Sequence, residues 1–337
     1  MRGFVVLFAS ICVSHAFAAT EGTTTLSLPD QPQAESPIPP EQQNSDSKIK
    51  NILRDKKFEE DKRITDLELR ANAGSLSRYS TQFFLGYSGS AVNDLSEPNR
   101  PNPDNRPGDN RTFMSGSANV RYRFTPDVAM NFGTGVVFYT PYQAVTGKEV
   151  DRPSNKKNYG INNPVVSLDK TYKYGKTQMR SSGKISSTTD QDYKNRGQWA
   201  AVGYSQFFKY TPGDSRLILG MQVALEYFGY ARDYAPYVND KNKGDGTVSK
   251  YYLNFIPSVE YKISDSVNFN TSLGYPYQNL RSDPQWVDWN HPLSTWRVGA
   301  GWAITREIYV NPYVNFFLET PAFNTASLNF NTTFSVF

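Results

Sequence analysis

The chain has 337 residues, of which 38% are hydrophobic and 14% aromatic, and its formal net charge is +4. This length allows one large all-β domain or two smaller ones, and the charge is too small to indicate nucleic acid as a partner. The mean hydropathy of −0.59 is typical of a soluble protein. It does not exclude a membrane barrel, in which apolar residues occupy every second position and dilute the average.

Residues 1–18 have the pattern of a secretory signal peptide. Arg2 supplies the charged start, residues 3–13 form an apolar core, and Ala16-Phe17-Ala18 provides the small residues of a cleavage site. The core is too short for a membrane-anchoring helix, so we predict export and cleavage. The only cysteine, Cys12, lies inside this segment, and the mature chain is therefore expected to have no disulfide and no thiol chemistry.

The next two segments are polar and differ in composition. Residues 19–46 are rich in Pro, Gln, Ser and Thr and are predicted to be disordered, because they carry too little apolar surface to order themselves. Residues 47–75 are dense in charged side chains and are predicted to form a solvated helix that stops near Gly74. Apolar residues recur in this segment at roughly helical spacing: Ile49, Leu53, Ile64 and Leu67.

From residue 76 to residue 337 the pattern changes to a period of two, which predicts β-strands with one apolar and one polar face. Residues 251–263 show it clearly, because every second residue from Tyr251 is apolar while Glu260 and Lys262 fall on the other face. Pro257 interrupts this strand and suggests a bulge, since proline has no amide hydrogen for the ladder.

Tight turns alternate with long polar loops along this part of the chain. The turns lie at residues 125–127, 211–215, 264–266 and 305–307, and the loops are rich in Pro, Asn and Asp. The weakest strand pattern covers residues 165–187, where Lys170 falls on the apolar face. Including that hairpin gives twelve strands and omitting it gives ten, and we favour twelve.

Strands of ten or more residues with an unbroken apolar face indicate a membrane barrel, because soluble strands usually have about five or six residues and a bilayer requires about 9–11. We therefore predict an all-β fold, a closed antiparallel up-and-down transmembrane β-barrel of about twelve strands. A secreted soluble β-sandwich or jelly roll is the alternative. Aromatic residues near the long-loop ends of the apolar faces suit an interfacial girdle: Tyr87, Tyr227, Tyr251, Tyr275 and Trp296.

The signal peptide, the paired strands and the terminal Phe337 together resemble Gram-negative outer-membrane β-barrels over about residues 78–337. The resemblance implies an outer-membrane location, insertion by the barrel-assembly machinery, contact with outer-membrane lipid and lipopolysaccharide, and a possible homo-oligomer. One feature departs from the family: Phe337 is one residue out of step with the apolar phase of Leu328, Phe330, Phe334 and Val336.

Signals for enzymatic chemistry are poor, and we predict no enzyme, no cofactor and no metal site. The mature chain has a single histidine, His291, in a long loop, and no CxxC, HExxH or phosphate-binding loop occurs. Acidic loop residues such as Asp283 and Asp288 could bind calcium, but residues of this kind occur in any exposed loop.

The polar face of the strands carries an excess of positive charge, with small glycines between the charges. A barrel of about twelve strands lies between the filled eight-stranded and the open sixteen-stranded kinds, and a narrow basic lumen favours anions. The predicted pore-lining residues are Asn119, Arg121, Arg123, Lys173, Lys209, Glu226, Glu260, Lys262 and Arg297.

These observations predict a porin-like channel for passive diffusion of small polar solutes, anionic rather than cationic. In the alternative interpretation the inward charges pair with one another and fill the barrel. The protein would then be a non-conducting structural or adhesive outer-membrane protein that acts through its long loops.

The segment 47–75 starts on the same side as the short turns, which is the periplasmic side of an outer-membrane barrel. Basic residues outnumber acidic ones in its first half and would meet a basic lumen unfavourably, so we expect a periplasmic helix. A helix that occupies the lumen and gates it is the alternative.

Overall fold

The computed structural model describes residues 64–103, 110–142, 158–231, 248–281 and 289–336. The predicted signal peptide, the polar segment 19–46, residues 47–63 and Phe337 lie outside the described residues. The expectations for these parts of the chain, the phase of Phe337 included, therefore stay predictions.

Twelve antiparallel strands follow one another around a closed barrel, and the first strand pairs with the last to complete it. The strands are β1 Tyr79–Ala91, β2 Phe113–Arg123, β3 Val128–Tyr139, β4 Tyr159–Tyr174, β5 Thr177–Ser187, β6 Gln198–Tyr210, β7 Leu217–Tyr230, β8 Ser249–Lys262, β9 Val267–Leu280, β10 Thr295–Ala303, β11 Ile308–Phe317 and β12 Ser327–Val336. The described ranges also contain two short helices, α1 Leu67–Ala73 and α2 Gln191–Asn195. The predicted closed all-β barrel of twelve strands is confirmed.

The two ends of the barrel are unlike. One end, here called the short-turn end, carries the tight connections β2–β3, β4–β5, β6–β7, β8–β9 and β10–β11. The other, the long-loop end, carries the remaining connections. Because β1 begins and β12 ends at the short-turn end, the segment before β1 enters the barrel from that end.

Large apolar side chains point outward around the wall and remain exposed. Phe83 and Phe334 stack across the β1–β12 seam with ring centres 4.7 Å apart, and such cross-strand aromatic pairs stabilise the ladder. Exposed members of this outer face are Val120, Phe132, Leu168, Val202, Leu219, Leu225, Val259, Phe269, Trp302 and Leu328. The alternation read from the sequence is therefore the inside–outside alternation of the barrel.

Pro257 does not cause the bulge that the sequence suggested. It keeps a regular pairing with Met221 on β7. The ladder to β9 lacks the pairs at residues 256 and 257 but has the same register on both sides of them, and its one register shift lies away from the proline, between Ser249 and Tyr251. The proline is thus accommodated by a local gap in one ladder. A real bulge lies in β4, where Asn163 has a φ of 42°.

The hairpin β4–β5 is part of the barrel wall, which explains the strand count. Lys170 pairs with Val128, the first residue of β3, and is therefore close to the short-turn end. Its ammonium group lies 5.1 Å from the ring centre of Tyr172 on the same outer face. A lysine near a membrane interface costs much less than one at the midplane, so its outward position is compatible with a membrane-facing wall.

Candidate functional site: the barrel lumen

The helix α1 lies inside the barrel at the short-turn end. Leu69 and Ala71 are fully buried, and Leu67 and Ala71 form one apolar cluster with Ala303 and Tyr309. These two wall residues flank the β10–β11 turn. An α-helix with its side chains is about 10–12 Å wide, so α1 takes up a large part of the lumen at this level.

The start of α1 is fixed by its own cap and by the wall. Oδ1 of Asp66 accepts a hydrogen bond from the backbone N–H of Leu69 at 2.8 Å, as expected of an N-cap. Gln178 on β5 reaches the same place: its Oε1 accepts from the N–H groups of Thr65 at 2.6 Å and Asp66 at 3.0 Å. The backbone donors at the entry to the helix, where an intrahelical partner is lacking, therefore bind a side chain of the barrel.

The end of α1 is held by two arginines of β2. Arg121 donates to the carbonyl of Asn72 at 3.0 Å, and Arg123 donates to the carbonyls of Ala73 at 2.7 Å and Ser75 at 2.5 Å. The last carbonyls of a helix lack internal partners and carry partial negative charge. The two guanidinium groups supply both hydrogen bonds and positive charge at that point.

A chain of polar contacts joins the side of α1 to the wall. Lys209 on β6 bonds Glu68 of the helix at 3.3 Å and also contacts the carboxylate of Glu260 on β8. Glu260 in turn accepts from the amide of Asn268 at 2.9 Å. Lys209 and Glu260 are both almost fully buried, and a buried pair of this kind requires such extra hydrogen bonds.

Burial raises the pKa of the Asp66 carboxyl above its ordinary value, and the neighbouring Glu68 adds to the rise, while the positive charge of Lys209 opposes it. Asp66 is only 1% exposed, and its second oxygen has no hydrogen-bond partner. The docked position of α1 therefore favours the protonated form of this cap residue.

Most other inward charges are paired with one another. Arg180 bonds Asp169 at 3.2 Å, Lys184 bonds Glu226 at 2.8 Å, and Lys262 bonds the turn residue Asp265 at 2.8 Å. The excess of positive charge in the sequence is thus largely balanced by local acids and by the carbonyl end of α1.

Arg297 on β10 differs from these residues in having an aromatic rather than an acidic neighbour. Its guanidinium carbon lies 5.5 Å from the ring centre of Tyr313 on β11, and no carboxylate of the described residues forms an ion pair with it. It lines a lumenal cavity of about 120 Å³ that also touches Glu68 and Lys209.

The nine predicted pore-lining residues therefore have different surroundings. Arg121, Arg123 and Lys209 hold α1. Asn119, also buried, donates to Ser117 on its own strand at 2.8 Å, while Lys173 is exposed next to the β4–β5 turn. That they line a conducting pore stays a prediction.

The sequence did not single out the residues that receive α1. Gln82 donates to the carbonyl of Asn72 at 3.1 Å, Thr333 donates to the side chain of Asn72 at 3.2 Å, and Gln178 binds the other end of the helix. One signal was available: Asp66 stands directly before Leu67 and Glu68, a pattern typical of a helix start.

The described part of the segment 47–75 differs from the expected periplasmic helix. Residues 64–75 lie inside the barrel, and the helix there spans only Leu67–Ala73. The basic residues on which the expectation depended lie mostly in 47–63, outside the described residues. The docked part instead presents Leu67, Leu69, Ala71 and Ala73, which are small or apolar.

The side chain of His291 makes contacts of a structural kind. Its two ring nitrogens lie 2.8 Å from the carbonyl of Pro276 and 2.9 Å from Oγ of Ser294, and its ring stacks on Tyr277. Ser294 is only 4% exposed, so its hydroxyl is shielded from a substrate. These contacts tie the β9–β10 loop to the barrel.

In the ranges that the structure describes, no group of three or more His, Cys, Asp or Glu side chains could hold a metal ion. Asp283 and Asp288 lie outside those ranges. Neither α1 nor α2 has the length and hydropathy needed to cross a bilayer, and the described ranges contain no other candidate helix.

No protein-family model matches the chain, and no curated protein matches it in sequence. Among solved structures, an outer-membrane channel from Pseudomonas putida F1 is 10% identical, with a TM-score of 0.46, and the match covers 79% of this chain and 98% of that one. The NanC porin is 9% identical, with a TM-score of 0.40 and coverage of 76% and 98%. The KdgM porin, solved with disordered oligogalacturonate, is 6% identical, with a TM-score of 0.40 and coverage of 76% and 99%. All three scores lie below 0.5, and the closed barrel is established by the strand pairing of this chain itself.

Proposed function

We propose that the protein is an outer-membrane channel for small polar solutes, restricted at its periplasmic end by α1. The observation that carries this proposal is a closed barrel of twelve strands with exposed apolar side chains outside and polar side chains inside. A continuous exposed apolar surface of this kind requires lipid or protein to cover it. The strands have 9 to 16 residues, which is enough to span a bilayer.

The pattern at the two ends of the barrel also supports this location. Outer-membrane barrels have short periplasmic turns and longer outer loops, so the short-turn end is assigned to the periplasm. The predicted signal peptide agrees with export to that compartment. Closure is a further requirement, because an unpaired strand edge is not tolerated in hydrocarbon, and the β1–β12 pairing removes the edge.

Transport rests on the polar inner face and on the cavity beside α1. Arg297 is an inward cation that has neither a carboxylate nor a helix carbonyl as partner among the described residues, so we infer a weak preference for anionic solutes. Because α1 is held mostly by hydrogen bonds and ion pairs, it can separate from the wall without disrupting the strand ladders.

The test is single-channel recording in planar bilayers with three forms: the full chain, a variant lacking residues 20–46, and a variant lacking residues 20–75. We expect small or infrequent current steps from the first two forms and steps at least about twice as large from the third, because a helix about 10 Å wide has left the lumen. The variant lacking 20–46 is the matched control, since it keeps α1 and loses the polar segment that the third form also lacks.

Absence of current from all three forms over many insertions would reject the channel. That result would support the second candidate function, a structural or adhesive outer-membrane protein acting through its long loops. The paired inward charges around Lys209, Arg180 and Lys184 favour this candidate, because a lumen filled by paired side chains needs no opening.

A further inference from the structure

The cavity beside α1 places an unbalanced positive charge next to a group of hydrogen-bonding side chains. Nε of Arg297 is shielded from solvent and has no hydrogen-bond partner. The guanidinium group lies over the ring of Tyr313, an arrangement that limits its rotation and leaves its outer edge free. Every other inward cation discussed above, the exposed Lys173 apart, has a carboxylate or helix carbonyl as partner.

The wall around Arg297 is suited to a hydroxylated solute. Lining residues with amide or hydroxyl groups include Ser258, Asn270, Ser272, Asn311, Tyr313 and Asn331. Asn270 donates to Asn311 at 3.2 Å, so these side chains already form part of a network. A volume of about 120 Å³ holds several water molecules, each of which a solute hydroxyl can replace.

The other side of the cavity carries the opposite charge. Glu68 and Glu260 share the single cation Lys209, so this group has a net negative charge. An anionic group that enters the cavity is therefore repelled from the α1 side and attracted to the Arg297 side. This polarity gives a bound solute one preferred orientation.

We propose that Arg297, stacked on Tyr313, is a binding subsite for the carboxylate of a small hydroxylated acid, with the surrounding amides and hydroxyls bonding the rest of the molecule. The proposal rests on the proposed function, because it names the class of solute that the channel takes. A planar guanidinium matches a carboxylate through two parallel hydrogen bonds, and this geometry distinguishes the subsite from a general positive potential.

The experiment is calorimetric titration of D-gluconate into the full chain in detergent micelles, compared with Arg297→Gln, Arg297→Lys and the matched control Lys184→Gln. Lys184 is an inward cation that already has a carboxylate partner, Glu226. We expect binding by the wild type and by Lys184→Gln. We expect about a tenfold or greater loss with Arg297→Gln, the size of one lost charge-assisted pair, and a smaller loss with Arg297→Lys, which keeps the charge but not the planar fork.

Glucose, the neutral analogue, should show no measurable binding at the concentrations at which gluconate saturates. Equal affinity of Arg297→Gln and the wild type, equal binding of glucose and gluconate, or no binding of gluconate to the wild type would each overturn the subsite. Because binding is measured without current, a protein that binds gluconate through Arg297 but never conducts would reject the channel and keep the subsite. A protein that conducts but does not bind gluconate would reject the subsite and keep the channel.

Discussion

Two neighbouring regions of the lumen contain the same kinds of residue but differ in how their charges are paired. One is the contact between α1 and the wall, and the other is the Arg297 side of the cavity. At the contact, Lys209 binds two carboxylates, and Arg121 and Arg123 donate hydrogen bonds to the carbonyl end of α1. At Arg297 no acid of the described chain is paired with the guanidinium group. The number of inward charges therefore says little about a lumen, because the partner of each charge decides whether that charge holds the structure together or remains available to a solute.

The largest expected effect comes from removing the buried cation at the contact. Lys209→Met leaves Glu260 buried without a positive partner, which is expected to lower the free energy of unfolding by about 3–5 kcal/mol. Lys184→Met is the matched control, because its pair with Glu226 is partly exposed, and its expected loss is about 0–1 kcal/mol. Urea unfolding of both variants in detergent micelles measures the difference, and similar losses would show that the buried pair at the contact stabilises the protein no more than a partly exposed pair elsewhere in the lumen.

The second prediction distinguishes two possible roles of Arg121 and Arg123: holding α1 in place and selecting ions. The double variant Arg121→Gln/Arg123→Gln weakens the bonds to the carbonyls of Asn72, Ala73 and Ser75. Hydrogen bonds to charged groups contribute about 1.5–3 kcal/mol each, so the occupancy of the larger conductance level should rise by about tenfold or more. The reversal potential in a salt gradient should not change, because these two charges face the helix end.

Single-channel recording gives both quantities at once. Arg180→Gln is the control, since Arg180 pairs with Asp169 and makes no bond to α1 among the described residues. A shift of the reversal potential with unchanged occupancy in the double variant would show that the two arginines line the conducting path, as the sequence alone suggested.

The sequence was sufficient to predict the barrel wall but not the helix α1 that the wall holds. The period of two in residues 251–263 marks inward and outward faces because the pleat makes neighbouring side chains alternate, and closure follows because long apolar faces and sheet edges must be covered. Arg121 and Arg123 were correctly placed on the polar face. Their partners, however, are backbone carbonyls, which every residue has, so no residue type identifies them.

The position of α1 could not be read from composition for a related reason. Charge density over 47–75 predicts a solvated helix, yet the described part docks through Leu67, Leu69 and Ala71 and through backbone groups at both ends. Gln82 and Gln178 are ordinary polar residues of a lumenal face until a helix end lies beside them. Long-range partners of this kind are set by how the segment enters the closed barrel, which local sequence does not encode.

The smallest expected effect is a pH dependence that originates at Asp66. The pKa of its carboxyl is raised in the docked helix, chiefly by burial, whereas in a released, hydrated helix it would be near 3.8. The docked state therefore binds the proton more tightly, and docking becomes stronger as the pH falls from above the raised pKa towards 3.8, with no further gain below both values. Lys209, Glu68 and Tyr309 interact electrostatically with this group.

The measurement is the occupancy of the larger conductance level between pH 7 and pH 4. It should fall on acidification of the full chain, by up to about tenfold for each unit by which the pKa is raised. Asp66→Asn keeps an acceptor for the N–H of Leu69 but cannot be protonated, so its occupancy should be nearly independent of pH over this range. If occupancy instead rises on acidification in both forms, the contact of α1 with the wall depends on the ion pairs of Lys209 with Glu68 and Glu260 rather than on the cap.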